Sequence, residues 1–203
     1  MTLFHLIRHG EHTLLGRMLV GRMPGVGLSE RGRAEAGWLA GRLAREKIGA
    51  LYASPMQRTR ETAAILAEAL GLPVGIREDA IELDYGEWTG ATFASVRGDP
   101  RWQVWTRHRS IATLPGGETM RAVQGRIVAA LFDLCAAHPE ETVAIVSHGD
   151  VIRAALLFAL GMPLDFYARI EVAPASISTI RLDDGTLRVL ALNERPRLGM
   201  EES

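Results

Sequence analysis

Two apolar runs in this chain are each followed at once by a histidine and a glycine. The first run leads into His9-Gly10 and the second into His148-Gly149. Short runs of this kind indicate buried strands of a parallel sheet. Parallel strands place their carboxyl ends at one rim, where open α/β sheets bind their ligands. The sequence therefore predicts a layered α/β fold in which both histidines meet at one site.

Strand-like and helix-like patterns alternate along the rest of the chain, as in α/β proteins. Strands are expected at residues 3–7, 48–53, 74–77 and 142–147. Helices are expected at residues 30–46, from Pro55 to Gly71, and at residues 118–137 and 150–160. Ser29 is the expected N-cap of the first helix, and Pro55 suits a first helical turn. Residues 10–27 and 79–117 are expected to be mainly irregular.

A hairpin is expected near the C-terminus, because Asp184-Gly185 separates alternating runs at residues 176–182 and 187–192. One or both of its strands would add an antiparallel edge to the sheet. The predicted fold is a three-layer α/β sandwich with a mostly parallel central sheet, helices on both faces and an antiparallel edge strand. We expect residues 1–203 to form a single catalytic domain.

The composition argues against several classes of protein. The formal net charge of −1 lacks the basic excess typical of nucleic-acid binders. No apolar run reaches the roughly 18 residues of a membrane helix, and the N-terminus lacks a secretory signal pattern. The one cysteine, Cys135, allows no intrachain disulfide and is expected to be a small core side chain. A cytoplasmic protein without nucleic-acid or membrane partners is therefore predicted, and its oligomeric state stays open.

Five side chains that suit phosphate chemistry fall at the ends of predicted strands or the starts of helices. They are Arg8, His9, Arg58, Glu82 and His148. Arginine offers a planar fork that matches phosphate oxygens, and fixed cations stabilise the transferring group. A neutral imidazole is a competent nucleophile near pH 7, and neighbouring arginines disfavour its protonation. A carboxylic acid such as Glu82 can protonate the leaving alcohol.

The motifs around these residues resemble the histidine phosphatase superfamily, in its phosphoglycerate mutase-like branch. The resemblance rests on residues 8–11 (Arg-His-Gly-Glu) and 147–149 (Ser-His-Gly), and on Leu-Ser-Glu-Arg-Gly at 28–32. It extends to Ser54-Pro55 with Arg58, to the stretch from Glu82 to Gly90, and to Gly-Gly-Glu-Thr at 116–119. Each motif is weak alone, but they occur in the family's order over nearly the whole chain.

The resemblance implies a phosphohistidine intermediate on His9. It implies phosphate binding by Arg8, Arg58 and His148, and proton donation by Glu82. A small phosphomonoester is the implied substrate, and neither a metal nor an organic cofactor is implied. Arg22 and Tyr85 are further expected substrate contacts.

The sequence departs from the family pattern in two places. Many members have Ser or Thr three residues after the nucleophile and a phosphate-binding Asn six residues after it, where this chain has His12 and Leu15. His12 or Arg22 is the expected replacement. Mutases of the family usually have Arg directly after the acid, where this chain has Leu83. They also have a longer insertion between the acid and the final histidine than this chain has. The chain therefore resembles the phosphatases more than the mutases.

Other interpretations of the same residues remain open. A phosphoglycerate-type mutase and a non-catalytic phosphate-binding or phosphoprotein-binding module are the two rival functions. Metal ligation is an alternative interpretation of His5, His9 and His12, but no further ligand pattern supports a site.

Some neighbouring residues compete for the assigned roles. Asp84 and Glu87 compete with Glu82, whereas Arg60 is expected to point away from the site. The segment around Trp102, Trp105 and residues 107–109 (Arg-His-Arg) is either a cap over the site or core with solvated charges.

Overall fold

The computed structural model of the protein describes residues 1–195 and contains one six-stranded sheet, with the strand order β3-β2-β4-β1-β5-β6. The strands are β1 (Thr2–Arg8), β2 (Ala50–Ala53), β3 (Val74–Ile76), β4 (Thr142–Ser147), β5 (Ile177–Asp183) and β6 (Thr186–Glu194). Strands β1 to β4 pair in parallel, whereas β5 is antiparallel to β1 and to β6. The predicted α/β fold is confirmed, and both strands of the hairpin join the sheet.

Within the described residues 1–195, six α-helices connect and cover these strands. They are α1 (Glu30–Leu43), α2 (Gln57–Leu70), α3 (Phe93–Val96), α4 (Pro100–Arg107), α5 (Met120–Ala137) and α6 (Gly149–Ala159). Short 3-10 turns lie at Glu78–Ala80, Gly86–Trp88 and Leu164–Arg169. None of the helices in residues 1–195 is long and apolar enough to span a bilayer.

The helix ends follow local sequence signals, with small differences from expectation. Ser29 caps α1 by accepting a hydrogen bond from the Gly32 amide at 3.0 Å. Helix α1 ends at Leu43 and not near Glu46, because the chain turns there and Glu46 binds His5 in the sheet. Pro55 lies one residue before the N-cap of α2 and not inside its first turn.

Alternate residues of the central strands feed two separate cores, as the two-residue period of a strand requires. On one face, Phe4 and Leu6 of β1 and Val143 and Ile145 of β4 pack in the core that contains α5 and α6. On the other face, Ile7 and its β4 neighbours pack in the core that contains α1 and α2. Cys135 is only half-buried at the margin of the first core. The sheet is thus sandwiched between helices, and its rim is held rigidly from both sides.

The rim at the ends of β1 and β4 lies between these two helical layers. The two strands are neighbours, and their register pairs Arg8 with Ser147. His9 and His148 follow those paired residues directly, so the sheet itself places the histidines side by side.

Candidate active site

The two histidines lie in contact at the shared rim, as the sequence predicts. Their ring centroids are 5.2 Å apart and the rings meet edge to face. Both residues are buried, with exposed fractions of 2% for His9 and 0% for His148. His9 lines one wall of a cavity of about 230 Å³, together with residues from β1, α2, the Glu82 segment and α6. His148 contacts that wall through His9 and Arg58.

His9 is held with one ring nitrogen unprotonated, which suits it to act as a nucleophile. Its Nδ1 donates to the Gly10 carbonyl at 2.7 Å, and Arg58 Nε donates to its Nε2 at 3.2 Å. Because a guanidinium only donates, Nε2 must carry a lone pair. Burial, and then the charges of Arg58 and Arg8, hold the pKa of His9 well below its ordinary value. The neutral imidazole is therefore oriented with a nucleophilic nitrogen directed at Arg58.

The Arg-His-Gly motif requires glycine for a steric reason. A Cβ on Gly10 would lie 2.4 Å from the Gly32 carbonyl oxygen, and one on Gly32 would lie 2.0 Å from the Glu11 carbonyl oxygen. The Gly10 amide also donates to Thr62 of α2 at 3.2 Å. The turn after β1 is thus pressed against the start of α1, which fixes the position of His9.

Arg58 of α2 lies between the two histidines. Its NH2 donates to His148 Nδ1 at 3.1 Å and to the Gly21 carbonyl at 2.8 Å, while its NH1 has no partner in residues 1–195. Arg60, in contrast, is exposed, as expected from the helical spacing. Burial lowers the pKa of Arg58, but a guanidinium remains charged in proteins. Arg58 therefore supplies a fixed positive charge with a free donor at the nucleophile.

Arg8 provides the second buried guanidinium of the site. It donates from NH1 to the Val172 carbonyl at 2.6 Å, and its Nε has no partner in the described chain. A Cβ on Gly149 would lie 3.3 Å from Arg8 Cζ, so the glycine after His148 gives the guanidinium room. The unpartnered donors of Arg8 and Arg58 both belong to side chains that line the cavity, where an anion would satisfy them.

His148 is coupled to a serine that precedes α2. Its Nε2 lies 2.7 Å from Ser54 Oγ, and burial followed by the charge of Arg58 holds its pKa well below the ordinary value. Because Nδ1 accepts from Arg58, Nε2 donates to Ser54 in this arrangement. A hydroxyl can also donate, so the same pair permits the opposite tautomer, with Nδ1–H directed into the site.

Glu82 is the carboxyl group of the site. Its Oε2 lies 3.8 Å from His148 Nδ1, and its Oε1 accepts from the Leu83 amide at 2.9 Å. Burial, reinforced by the nearby Asp150 charge, raises the pKa of Glu82 to about 7, although Arg58 and Arg8 oppose this effect. The group can therefore both hold and accept a proton near neutral pH, as an acid–base catalyst must.

The competing acids around Glu82 have other contacts. Asp84 accepts from the Gly86 amide at 2.9 Å, and Glu87 is exposed. Neither lines the cavity, whereas Glu82 does.

Arg22 lies behind Glu82 and does not line the cavity. Its Nε donates to the Glu82 carbonyl at 2.8 Å, and its NH2 donates to Glu118 at 2.9 Å. Arg126 of α5 binds the same Glu118 from the other side. The expectation that Arg22 contacts substrate is therefore not supported, because its donors are spent on holding the Glu82 segment.

His12 and Leu15 both line the cavity, where the family pattern has phosphate-binding side chains. The His12 ring centroid is 5.6 Å from that of His9, and its Nδ1 has no partner in residues 1–195. Burial and the two arginines lower the pKa of His12 to about 4, so its imidazole is neutral at pH 7. His12 is thus placed to replace the missing asparagine.

Metal ligation does not fit these histidines. His5 faces away from His9 and instead contacts Thr179 at 3.0 Å and Glu46 at 2.6 Å. Within residues 1–195, no group of three or more histidine, cysteine, aspartate or glutamate side chains is arranged to hold a metal ion.

The segment from Trp102 to Arg109 is partly cap and partly core. Trp102 and Arg109 line the cavity, and Trp105 is fully buried. Arg107 and His108 are exposed.

Sequence reasoning did not single out Asp150 or Tyr167. Asp150 accepts from Tyr85 at 2.7 Å and from Tyr167, and all three line the cavity. Tyr85 thus occupies the expected site, although its hydroxyl hydrogen is engaged with Asp150. The position of Asp150 directly after His148-Gly149 was a usable signal. Tyr167 carried none, because only the fold brings its turn to the site.

Comparison with known proteins agrees with this geometry. The family model described as histidine phosphatase superfamily (branch 1) matches residues 4–195. The chain is 34% identical over 200 residues to phosphoserine phosphatase 1 of Hydrogenobacter thermophilus. The alignment covers 96% of this chain and 93% of that protein. The chain spans about half of some longer mycobacterial relatives.

Solved structures show the same fold. The protein YhfR of Bacillus stearothermophilus has a TM-score of 0.91 at 28% identity, over 97% of this chain and 98% of that one. A mutant phosphoserine phosphatase of Entamoeba histolytica, in complex with phosphoserine, has a TM-score of 0.85 at 26% identity, over 95% and 97% of the two chains. The chain belongs to the histidine phosphatase superfamily, branch 1. It is a phosphomonoester hydrolase of that family.

Proposed function

We propose that this hydrolase cleaves a small phosphorylated metabolite in two steps, through a phosphohistidine on His9. The observation that carries the proposal is the unprotonated Nε2 of His9, which accepts a hydrogen bond from Arg58 in a cavity that Glu82 also lines. The related phosphatases support a small phosphomonoester as the substrate class. The single sheet supports one catalytic domain for residues 1–203, and the lone cysteine supports the cytoplasm as its location.

In the first step, His9 Nε2 attacks phosphorus and the ester P–O bond breaks. Arg8 and Arg58 bind the phosphoryl oxygens with the donors that otherwise lack partners, which stabilises the charge that develops there. The leaving oxygen takes its proton from Glu82. Substrate binds the His148 tautomer that already carries its proton on Nδ1; in that tautomer Ser54 Oγ donates to Nε2, and Nδ1–H donates to a phosphoryl oxygen.

In the second step, water attacks the phosphorus of phospho-His9 and the P–N bond breaks. Glu82, now a carboxylate, accepts the proton of that water, and neutral His9 is restored. The same carboxyl group thus serves as acid and then base, which requires a pKa near the working pH. His12, whose ring lies beside that of His9, supplies the neutral contact that replaces the family's asparagine.

The test is phosphate release from p-nitrophenyl phosphate and a panel of small phosphomonoesters, with and without a chelator. Wild type should turn over in both conditions, and His9→Ala should not. His108→Ala, which removes an exposed histidine outside the cavity, is the matched control and should retain full activity.

Two results would overturn the proposal. Activity in His9→Ala would exclude the phosphohistidine. If neither wild type nor His9→Ala releases phosphate, the protein is not this hydrolase. Primer-dependent isomerisation of a phosphoglycerate would then identify a mutase, and binding without any turnover would identify a phosphate-binding module.

A further inference from the structure

Besides Arg8 and Arg58, the cavity contains a further cation, Arg109, that the proposed chemistry does not use. Among the buried donors without partners in residues 1–195, one group belongs to Arg8 and Arg58 beside the nucleophile. Another belongs to Arg109, whose Nε and NH1 are both unpartnered. Buried guanidinium donors are costly when unsatisfied, so each group needs an acceptor. The phosphoryl group accounts for the first group but leaves Arg109 unexplained.

Arg109 is held rigidly at the cavity by aromatic rings. Its side chain is 8% exposed, and its Cζ lies 4.7 Å from the Trp105 ring centroid and 3.7 Å from that of Tyr167. Stacking of this kind fixes the plane of the guanidinium without using its hydrogens. The donors therefore remain available to a ligand.

A second arginine adds positive charge to the same wall. Arg153 of α6 lies with its Cζ 4.6 Å from the Tyr167 ring centroid. It donates to the Ile170 carbonyl at 2.8 Å and to the Tyr167 hydroxyl at 2.6 Å. Asp150, whose charge acts on Arg153, already accepts hydrogen bonds from two tyrosines. The acid is therefore engaged, and the donors of Arg109 stay unpaired.

The cavity has room for more than the phosphoryl group. A single water molecule needs a cavity volume of about 10–15 Å³. The volume of this cavity is about 230 Å³. Arg8, Arg58, Arg109 and Arg153 all line it. A ligand whose phosphate contacts the first two can thus extend toward the second two.

From these contacts we propose that Arg109, supported by Tyr167 and Arg153, binds a second anionic group of the substrate. The inference rests on the proposed function and narrows it: the substrate is a phosphomonoester that also bears a carboxylate or a second phosphate. An anion would satisfy the Arg109 donors with charge-assisted hydrogen bonds, which neutral substrates cannot form. Arg109 is then a specificity-determining residue that takes no part in the chemical step.

The test compares substrates that differ only in the second anion. 3-Phosphoglycerate is paired with glycerol 3-phosphate, and fructose 1,6-bisphosphate with fructose 6-phosphate, so the two pairs distinguish a carboxylate from a phosphate. Wild type should favour the anionic member of one pair. Arg109→Met keeps much of the side-chain length and should lower kcat/KM for that member about 10- to 100-fold, mainly through KM.

Three controls isolate the effect. Activity of Arg109→Met on p-nitrophenyl phosphate should fall far less than its activity on the anionic substrate, because p-nitrophenyl phosphate has no second anion. Arg107→Met removes an exposed charge two residues away and should leave the preference unchanged. Arg109→Lys restores the charge without the planar fork and should recover part of the preference, which separates lost charge from lost packing.

The inference is overturned if wild type does not distinguish the members of either pair, or if Arg109→Met loses activity equally on p-nitrophenyl phosphate and the anionic substrate. Failure of the proposed function would be visible separately, as absent hydrolysis of p-nitrophenyl phosphate by wild type. In that event, calorimetric titration of His9→Ala protein with 3-phosphoglycerate and glycerol 3-phosphate still tests whether the second anion site exists. The second anion site is refuted if His9→Ala protein binds 3-phosphoglycerate and glycerol 3-phosphate with equal affinity, and if adding Arg109→Met changes neither affinity.

Discussion

Replacing Glu82 by glutamine is the most direct test of the acid–base assignment. The substitution keeps the shape of the side chain and removes its transferable proton. General acid catalysis contributes about 10²- to 10⁴-fold, so kcat/KM for an alkyl phosphate should fall by that factor. The nitrophenolate ion leaves without help from an acid, and kcat/KM for p-nitrophenyl phosphate should fall less than about tenfold.

The pH dependence of the wild type gives the same test without a substitution. With the Glu82 pKa raised to about 7, roughly 90% of the group is protonated at pH 6 and roughly 10% at pH 8. Acid-dependent cleavage should therefore decrease about tenfold across this range. Cleavage decreases as the pH rises because the first step needs the protonated form of Glu82. His9 does not contribute to this decrease, since its pKa is held well below the ordinary value.

The assay is kcat/KM for a primary alkyl phosphate and p-nitrophenyl phosphate from pH 5.5 to pH 8.5. The alkyl-to-aryl ratio cancels most of the ionisation of the substrates themselves. It should decrease with pH in wild type and be flat in Glu82→Gln. Glu87→Gln, which changes an exposed acid of the same segment, should behave as wild type. Equal losses on both substrates in Glu82→Gln, or a flat wild-type ratio, would refute the assignment.

Three further outcomes are expected. Rapid alkaline quenching of wild type with labelled substrate should trap phosphate on the protein, and His9→Ala should trap none; label retained in that variant would place the intermediate elsewhere. Gly10→Ala should lower the free energy of unfolding in urea by about 1–3 kcal/mol, because the added Cβ overpacks against Gly32. Gly37→Ala, which has open space around it in α1, should raise that free energy by about 0.5–1 kcal/mol. Equal stabilities of the two variants would contradict the steric argument. Arg22→Met should lower kcat on alkyl phosphates while KM changes little, because Arg22 positions the Glu82 segment; a change confined to KM would instead make it a substrate ligand.

Local patterns predicted the framework of this protein well. The buried runs of β1 and β4, the Ser29 cap and the Asp184-Gly185 turn are signals carried by a few adjacent residues, and the structure contains all four features. The ends of elements were less accurate where distant contacts intervene. Helix α1 stops early, and the following Glu46 is hydrogen-bonded at 2.6 Å to His5 of β1.

The sequence by itself predicted that two strand-end histidines would share one rim, because parallel strands place their carboxyl ends together. Arg58 and Glu82 were assigned to that rim by their positions after the neighbouring strands and by resemblance to the family's motifs. Only the tertiary structure decided how those groups behave. The raised pKa of Glu82 depends on burial and on Asp150, which lies 68 positions away along the chain. The unpaired Arg109 depends on aromatic rings contributed by α4 and by the turn that contains Tyr167. Burial and through-space charge act over distances that the order of residues does not encode, so the electrostatics of the site came from the fold.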